Sequence, residues 1–245
     1  MNPDGNHIRV LLIQVRERED VERQEQACFM ERCGIRRDQL DAVNLLHAPV
    51  PPMERVDAAN AVMIGGAGTL SVTQAHPFDD SLTDLVRTLC DRGRPLFGVC
   101  WGHQFIARAL GGTVVTDHDR KEIGTHSVDL TPAGRSDPLF DSMPPRFAAH
   151  MGHHDYVSEL SSGAIELAVS ETCPTQAFRI EGTPVYGTQF HCELNTHRLL
   201  ERLRIYRHIY QPADDDLEEL EREPVATPEA DIILRRFIET CVQSR

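Results

Sequence analysis

The feature that most constrains this chain is a regular alternation in its first half. Short apolar runs alternate with segments of helical period, and glycines close the helices. Ile8–Val15 reads as a strand, Asp20 to Cys33 as a helix stopped by Gly34, Leu40–Leu46 as a second strand, and Ala61–Ile64 as a third. Asp79 to Arg92 reads as a helix closed by Gly93, Pro95–Val99 as a strand, and Trp101–Leu110 as a helix ended by Gly111-Gly112. Successive strand–helix units of this kind predict right-handed crossovers, hence an α/β fold with a mostly parallel central sheet flanked by helices.

Beyond Gly112 the texture changes. Val114–Val115, Ser127–Leu130, Phe147–Ala149, Ile165–Ser170, Gln176–Ile180 and Val185–Phe190 are short strand candidates between turn residues. They predict added antiparallel strands, the last returning to the main sheet. From Thr196 the pattern is helical: Thr196–Tyr210, an acidic stretch "PADDDLEELEREP", then Pro228–Val242. The expected division is a domain over 1–195 and a helical extension over 196–245. In the first of these helices Leu199, Leu200, Leu203, Ile205 and Ile209 are expected on one apolar face. Arg198, Arg202, Arg204 and Arg207 are expected mostly on the other. The first helix should pack on the sheet and the last should cover the flank. The acidic stretch should be a solvated face or linker.

A net charge of −13 argues against nonspecific binding to nucleic acid or an anionic membrane. Seven cysteines, without CxxC or Cys/His zinc spacing, predict reduced thiols and no metal site. No run is long enough to cross a bilayer, and the first residues do not read as a signal peptide, so the expected location is the cytoplasm.

Chemistry concentrates in three places. "PLFGVCWGHQF" puts Cys100 between Gly98 and Gly102, at a strand-to-helix junction. A lone cysteine there is ordinarily a small buried residue. Glycines on both sides instead fit a nucleophile elbow, a strained turn that presents the thiol above the sheet. The helix N-terminus behind it favours thiolate over thiol, and the Trp101 N–H points where an oxyanion would form. In "VYGTQFHCEL", His191 and Glu193 lie two apart, so a strand would turn both to one side as base and orienting acid. Gly65-Gly66-Ala67-Gly68 is either a plain tight turn or an anion-binding loop beside the thiol. It matches neither a dinucleotide fingerprint nor a P-loop.

In this order the three pieces resemble the class I (triad) glutamine amidotransferases, over roughly Ile8 to Leu194. "GVCWGHQ" is similar to the family's nucleophile motif, "GGAGT" to its oxyanion loop, and "FHCE" to its His-x-Glu motif. "HMGHHDYV" is similar to the substrate-side segment of the branch near GMP synthetase. The resemblance implies a flavodoxin-like fold and a Cys100–His191–Glu193 triad. It implies an oxyanion hole from the Gly66 and Trp101 N–H groups, and a substrate pocket at Gly68, Gln104, Gly152, His153, His154 and Asp155. It implies hydrolysis of a glutamine or γ-glutamyl amide through a cysteine thioester, with no metal or organic cofactor. Three positions depart from the pattern: Ala67 and Cys192 stand where proline is usual, and His154 where glycine is usual.

Three functions stay open at this point. One is a free-standing amidotransferase passing ammonia to a separate synthase. A second is a γ-glutamyl hydrolase or peptidase needing no partner. The third is a non-catalytic binding protein that kept the fold. An α/β-hydrolase is excluded by order, since there the acid precedes the histidine.

Overall fold

The computed structural model describes residues 8–210 and 225–243. The alternating first half folds as β1 (Val10–Val15), α1 (Glu19–Cys33), β2 (Leu40–Asn44), α2 (Met53–Asp57), β3 (Ala61–Ala67), α3 (Asp79–Asp91), β4 (Leu96–Val99) and α4 (Trp101–Ala109). Then come β5 (Thr113–Thr116), β6 (Glu122–Leu130), β7 (Arg146–His153), β8 (Asp155–Glu159), β9 (Ala164–Val169), β10 (Ala177–Ile180) and β11 (Val185–Thr188), followed by α5 (Thr196–Ile205). The nine-stranded sheet has the order β2-β1-β3-β4-β11-β10-β9-β6-β7, and β5 pairs with β8 in a separate ribbon. Strands from β2 to β11 run parallel, and those from β11 to β7 antiparallel.

Strands β1, β3, β4 and β11 are buried on both faces, which is why they read as apolar runs, whereas the edge strand β2 exposes Asp41. In β1, Val10 and Leu12 face one core layer with Phe29 of α1, whereas Leu11 and Ile13 face another with Leu82, Val86 and Phe105. The antiparallel half is longer than expected. β6 spans nine residues and β7 eight, because each satisfies the other along its whole length. The sequence reading missed β8, whose pairing with β5 is nonlocal, and the short helix α2.

The C-terminal segment packs in the reverse of the expected arrangement. α5 lies on α1, where Leu199, Leu203 and Tyr206 meet Val21 and Cys28. The short helices at Pro228–Asp231 and Ile233–Phe237 instead join the main core. There Phe237 packs edge-on against Phe97 of β4 and Tyr186 of β11, with ring centroids 5.1 and 6.1 Å away. Full burial of such a ring contributes about 1.5–3 kcal/mol. The acidic stretch lies outside the described residues. Among the described residues no helix is long and apolar enough to cross a membrane.

Candidate active site

The site lies at the C-terminal ends of β3, β4 and β11, where an open parallel sheet leaves a crevice. Cys100 ends β4 and caps α4 with φ 51° and ψ −104°. Among the described residues it is the one non-glycine with positive φ. The neighbouring glycines are required by close approach. A Cβ at Gly98 would lie 2.5 Å from the Gly102 carbonyl carbon, and one at Gly102 would lie 2.2 Å from the Ile64 oxygen. Register brings the partner strand alongside: Thr188 pairs with Val99, and the Cys100 N–H donates to the Thr188 carbonyl at 2.8 Å.

β11 stops at Thr188, so His191 and Glu193 are not on a strand. They meet through the turn that follows, His191 Nδ1 lying 2.8 Å from Glu193 Oε1. The His191 N–H also donates to the His150 carbonyl on β7, which anchors that turn. The expected juxtaposition is present, by a different local geometry.

Burial alone would lower the His191 pKa. The Glu193 carboxylate and the neighbouring Cys100 sulfur outweigh it and hold the group at about 9. Burial would raise Glu193, yet His191 and then Arg202 keep it well below the usual carboxylate range. His150 is pushed down to about 4 by burial and by the charge on His191. The arrangement is a buried cysteine–imidazolium–carboxylate chain that can supply both a nucleophile and a proton.

A cavity of about 80 Å³ opens over the thiol, lined by Ala67, Gly68, Trp101, Gln104, Gly152, His153, His154 and Asp155 among others. Cys100 Sγ lies 4.0 Å from the Gly152 carbonyl. Of the expected substrate residues, Gly68, Gln104, Gly152, His153, His154 and Asp155 all reach this wall. Gln104 spends its amide N–H groups on the Asp155 carbonyl and on Gln189, at 2.7 and 3.0 Å, so in this geometry it braces the wall. The Asp155 carboxylate accepts from Ser71 and Thr116. His153 is backed by buried Glu122, with Nε2 to Oε2 at 3.0 Å.

Gly66 lies close by, a Cβ there falling 3.3 Å from His191 Cε1 and 3.7 Å from Cys100 Cβ. Its N–H donates to Glu25 Oε1 at 3.1 Å, and it does not line the cavity. Glu25 is fully buried, paired with Arg16 at 2.5 Å and bonded to Gln14. As placed, Gly66 offers nothing to an oxyanion, and Ala67 and Gly68 form that side of the wall.

Arg202 of α5 was expected on the polar face but is buried. Its Nη1 donates to Glu193 Oε1 at 2.8 Å. The signal was present in the spacing, since Leu199, Arg202, Leu203 and Tyr206 follow i, i+3, i+4, i+7 and so share one face. No comparable signal in the sequence marks Glu25 or Glu122.

A family model described as glutamine amidotransferase class-I matches residues 43–203. A glutamine-hydrolyzing GMP synthase subunit from Methanopyrus kandleri is 30% identical over 144 residues, covering 59% of this chain and 71% of that protein. The corresponding subunit from Thermococcus kodakarensis is 38% identical over 100 residues, covering 41% of this chain and 51% of its own. The chain spans a fifth of the length of the glutamine-hydrolyzing GMP synthase of Clostridium novyi, with 36% identity over 108 residues and 44% of this chain covered. Among solved structures, a glutamine amidotransferase from Thermotoga maritima superposes with a TM-score of 0.72 at 24% identity, covering 97% of this chain and 99% of that one. That likeness shows the shared fold.

Proposed function

Because the chain belongs to the class-I glutamine amidotransferase family, we propose that it hydrolyses the γ-amide of glutamine through a thioester on Cys100. The observation that carries this reading is the buried His191–Glu193 pair beside a cysteine in a strained elbow, the thiol itself opening on the cavity.

The Cys100 thiolate attacks the γ-carbonyl carbon and pushes its electron pair onto oxygen. The Trp101 N–H, in the first turn of α4 where helix N–H groups have no intrahelical partner, receives the oxyanion. A second donor comes from the Ala67–Gly68 side of the wall, or from Gly66 once it leaves Glu25. The intermediate collapses as His191 gives its proton to the departing nitrogen, releasing ammonia and leaving a γ-glutamyl thioester. His191, now neutral, takes a proton from water, and the hydroxide attacks the thioester. Glutamate leaves, and the thiolate–imidazolium pair is restored. Asp155 supplies the anionic wall suited to a substrate ammonium group. The cavity opens directly over the Cys100 thiol, which suits an amide-ended chain entering end-on. A separate synthase as recipient of the ammonia is in keeping with the relatives that are themselves subunits of GMP synthase.

One observation favours a second reading, a γ-glutamyl peptidase. His154 lines the cavity where the resembled segment has glycine, and it packs against His118 at 5.0 Å. The test is glutamate release from glutamine and from a panel of γ-glutamyl amides, by the intact protein and by Cys100→Ala. Turnover of glutamine that Cys100→Ala abolishes supports the first reading. Turnover confined to γ-glutamyl amides supports the second, and release by Cys100→Ala would sink both.

A further inference from the structure

We infer that Arg202 is a positioning residue for the reaction, holding Glu193 against His191 as a carboxylate from the far side of the triad. The inference rests on the catalytic reading above. Arg202 lies on α5, outside the strand ends that carry the triad. Its Nη1 and the His191 Nδ1 both donate to Glu193 Oε1, each at 2.8 Å. The Arg202 and Glu193 side chains are 5% and 0% exposed, so water screens neither. The guanidinium is itself fixed, since its Nε donates to Gln24 Oε1 on α1 at 2.9 Å and Gln24 donates in turn to Glu201. It does not line the cavity over Cys100, so it does not touch substrate there.

The need for such a residue follows from the proton cycle. His191 is charged before it protonates the leaving nitrogen and neutral afterwards. In the neutral phase Glu193 would be a buried carboxylate without a cation, and burial then favours its protonated form. A protonated Glu193 no longer demands a proton on His191 Nδ1, so the ring loses its tautomer and orientation. Arginine stays charged throughout and is fitted to hold a carboxylate. Glu193 therefore stays ionised whatever the state of His191. The groups that face this carboxylate are His191 and Arg202 directly, with Cys192 beside it, Cys28 of α1 and His150 of β7 farther off.

The experiment compares intact protein with Arg202→Gln, Arg202→Lys, Gln24→Ala and, as a control, the exposed Arg204→Gln on the same helix. Two readouts are taken across pH: steady-state glutamate release, and alkylation of Cys100 by iodoacetamide, which needs no substrate turnover. For Arg202→Gln the expected result is a kcat loss on the order of tenfold to a hundredfold, as for other residues that orient a ligating or catalytic group. KM should not change, and the acid limb of both profiles should move to higher pH. Arg202→Lys should restore most of the rate and return the limb toward that of the intact protein. Gln24→Ala, at a half-exposed position that threatens the fold less, should move both readouts the same way by a smaller amount. Arg204→Gln should match the intact protein. Unmoved acid limbs in Arg202→Gln and Gln24→Ala would overturn the inference, as would Arg202→Lys as impaired as Arg202→Gln. If the intact protein releases no glutamate from any substrate, the catalytic reading fails, and the alkylation profiles still decide the role of Arg202.

Discussion

Cys100→Gly is expected to unfold at a higher temperature than Cys100→Ala, the opposite of what glycine does in ordinary structure. At φ 51° and ψ −104°, Cys100 lies far from the left-handed well, whose ψ is about +30 to +60°. A side chain held in so sparse a region costs about 1–3 kcal/mol, and the distance from any well puts this site near the upper end. Glycine removes that cost. Two terms oppose it: about 0.5–1 kcal/mol of extra unfolded-chain entropy, and about 0.8 kcal/mol for the buried methyl that alanine keeps. The position is 6% exposed, so the methyl term applies nearly in full. The balance favours glycine by about 1.5 kcal/mol. For a chain of this size each kcal/mol moves the midpoint by about 2–4 °C, so the glycine variant should melt about 3–6 °C higher. Both variants lack the thiol, so neither catalysis nor covalent modification separates them, and thermal unfolding followed by circular dichroism reads the difference. An alanine variant melting at or above the glycine variant would mean that the elbow stores no strain.

Three further outcomes are expected. Glu193→Gln removes the main influence that raises His191, so the alkaline limb of kcat/KM should move down from about pH 9. The folded pKa of His191 lies above its unfolded value, so its pairing stabilises fully below about pH 6.5 and is lost as pH rises through about 9. The stability gap between intact protein and Glu193→Gln should therefore narrow across that window, and a constant gap would contradict the pairing. Glutamine-analogue chloroketones should modify Cys100 and spare Cys33, Cys173 and Cys192, whose thiols burial pushes up. Peptide mapping that finds the label on Cys28 or Cys192 would defeat the assignment. His154→Gly should raise kcat/KM for glutamine relative to γ-glutamyl amides by about 1–3 kcal/mol, the range for one pocket contact, and an unchanged ratio would remove the support for the peptidase reading.

What could be read from the sequence follows how local each signal is. The elbow was legible because its demand is steric and local: Gly98 and Gly102 exist to let β4, α4 and β3 approach. The parallel strands were legible because burial on both faces writes an unbroken apolar run. His191 and Glu193 were paired correctly on a wrong premise, strand alternation, when a turn does the work. The bond from Gly66 to Glu25 was not legible because Glu25 is 41 residues away on α1, and no periodicity reveals a buried carboxylate's target. Arg202 was placed by residue type on the polar face, although its spacing from Leu199 and Leu203 put it inward. The long strands β6 and β7 were read short because their mutual pairing is nonlocal.

The central claim is a γ-glutamyl thioester on Cys100, and it can be weighed directly. Protein mixed with glutamine and quenched in acid within a turnover should carry a mass increment of one γ-glutamyl group. That increment should be confined to the peptide containing Cys100 and absent from Cys100→Ala. Glutamate release with no such adduct at any quench time, or with the adduct on another residue, would contradict the account.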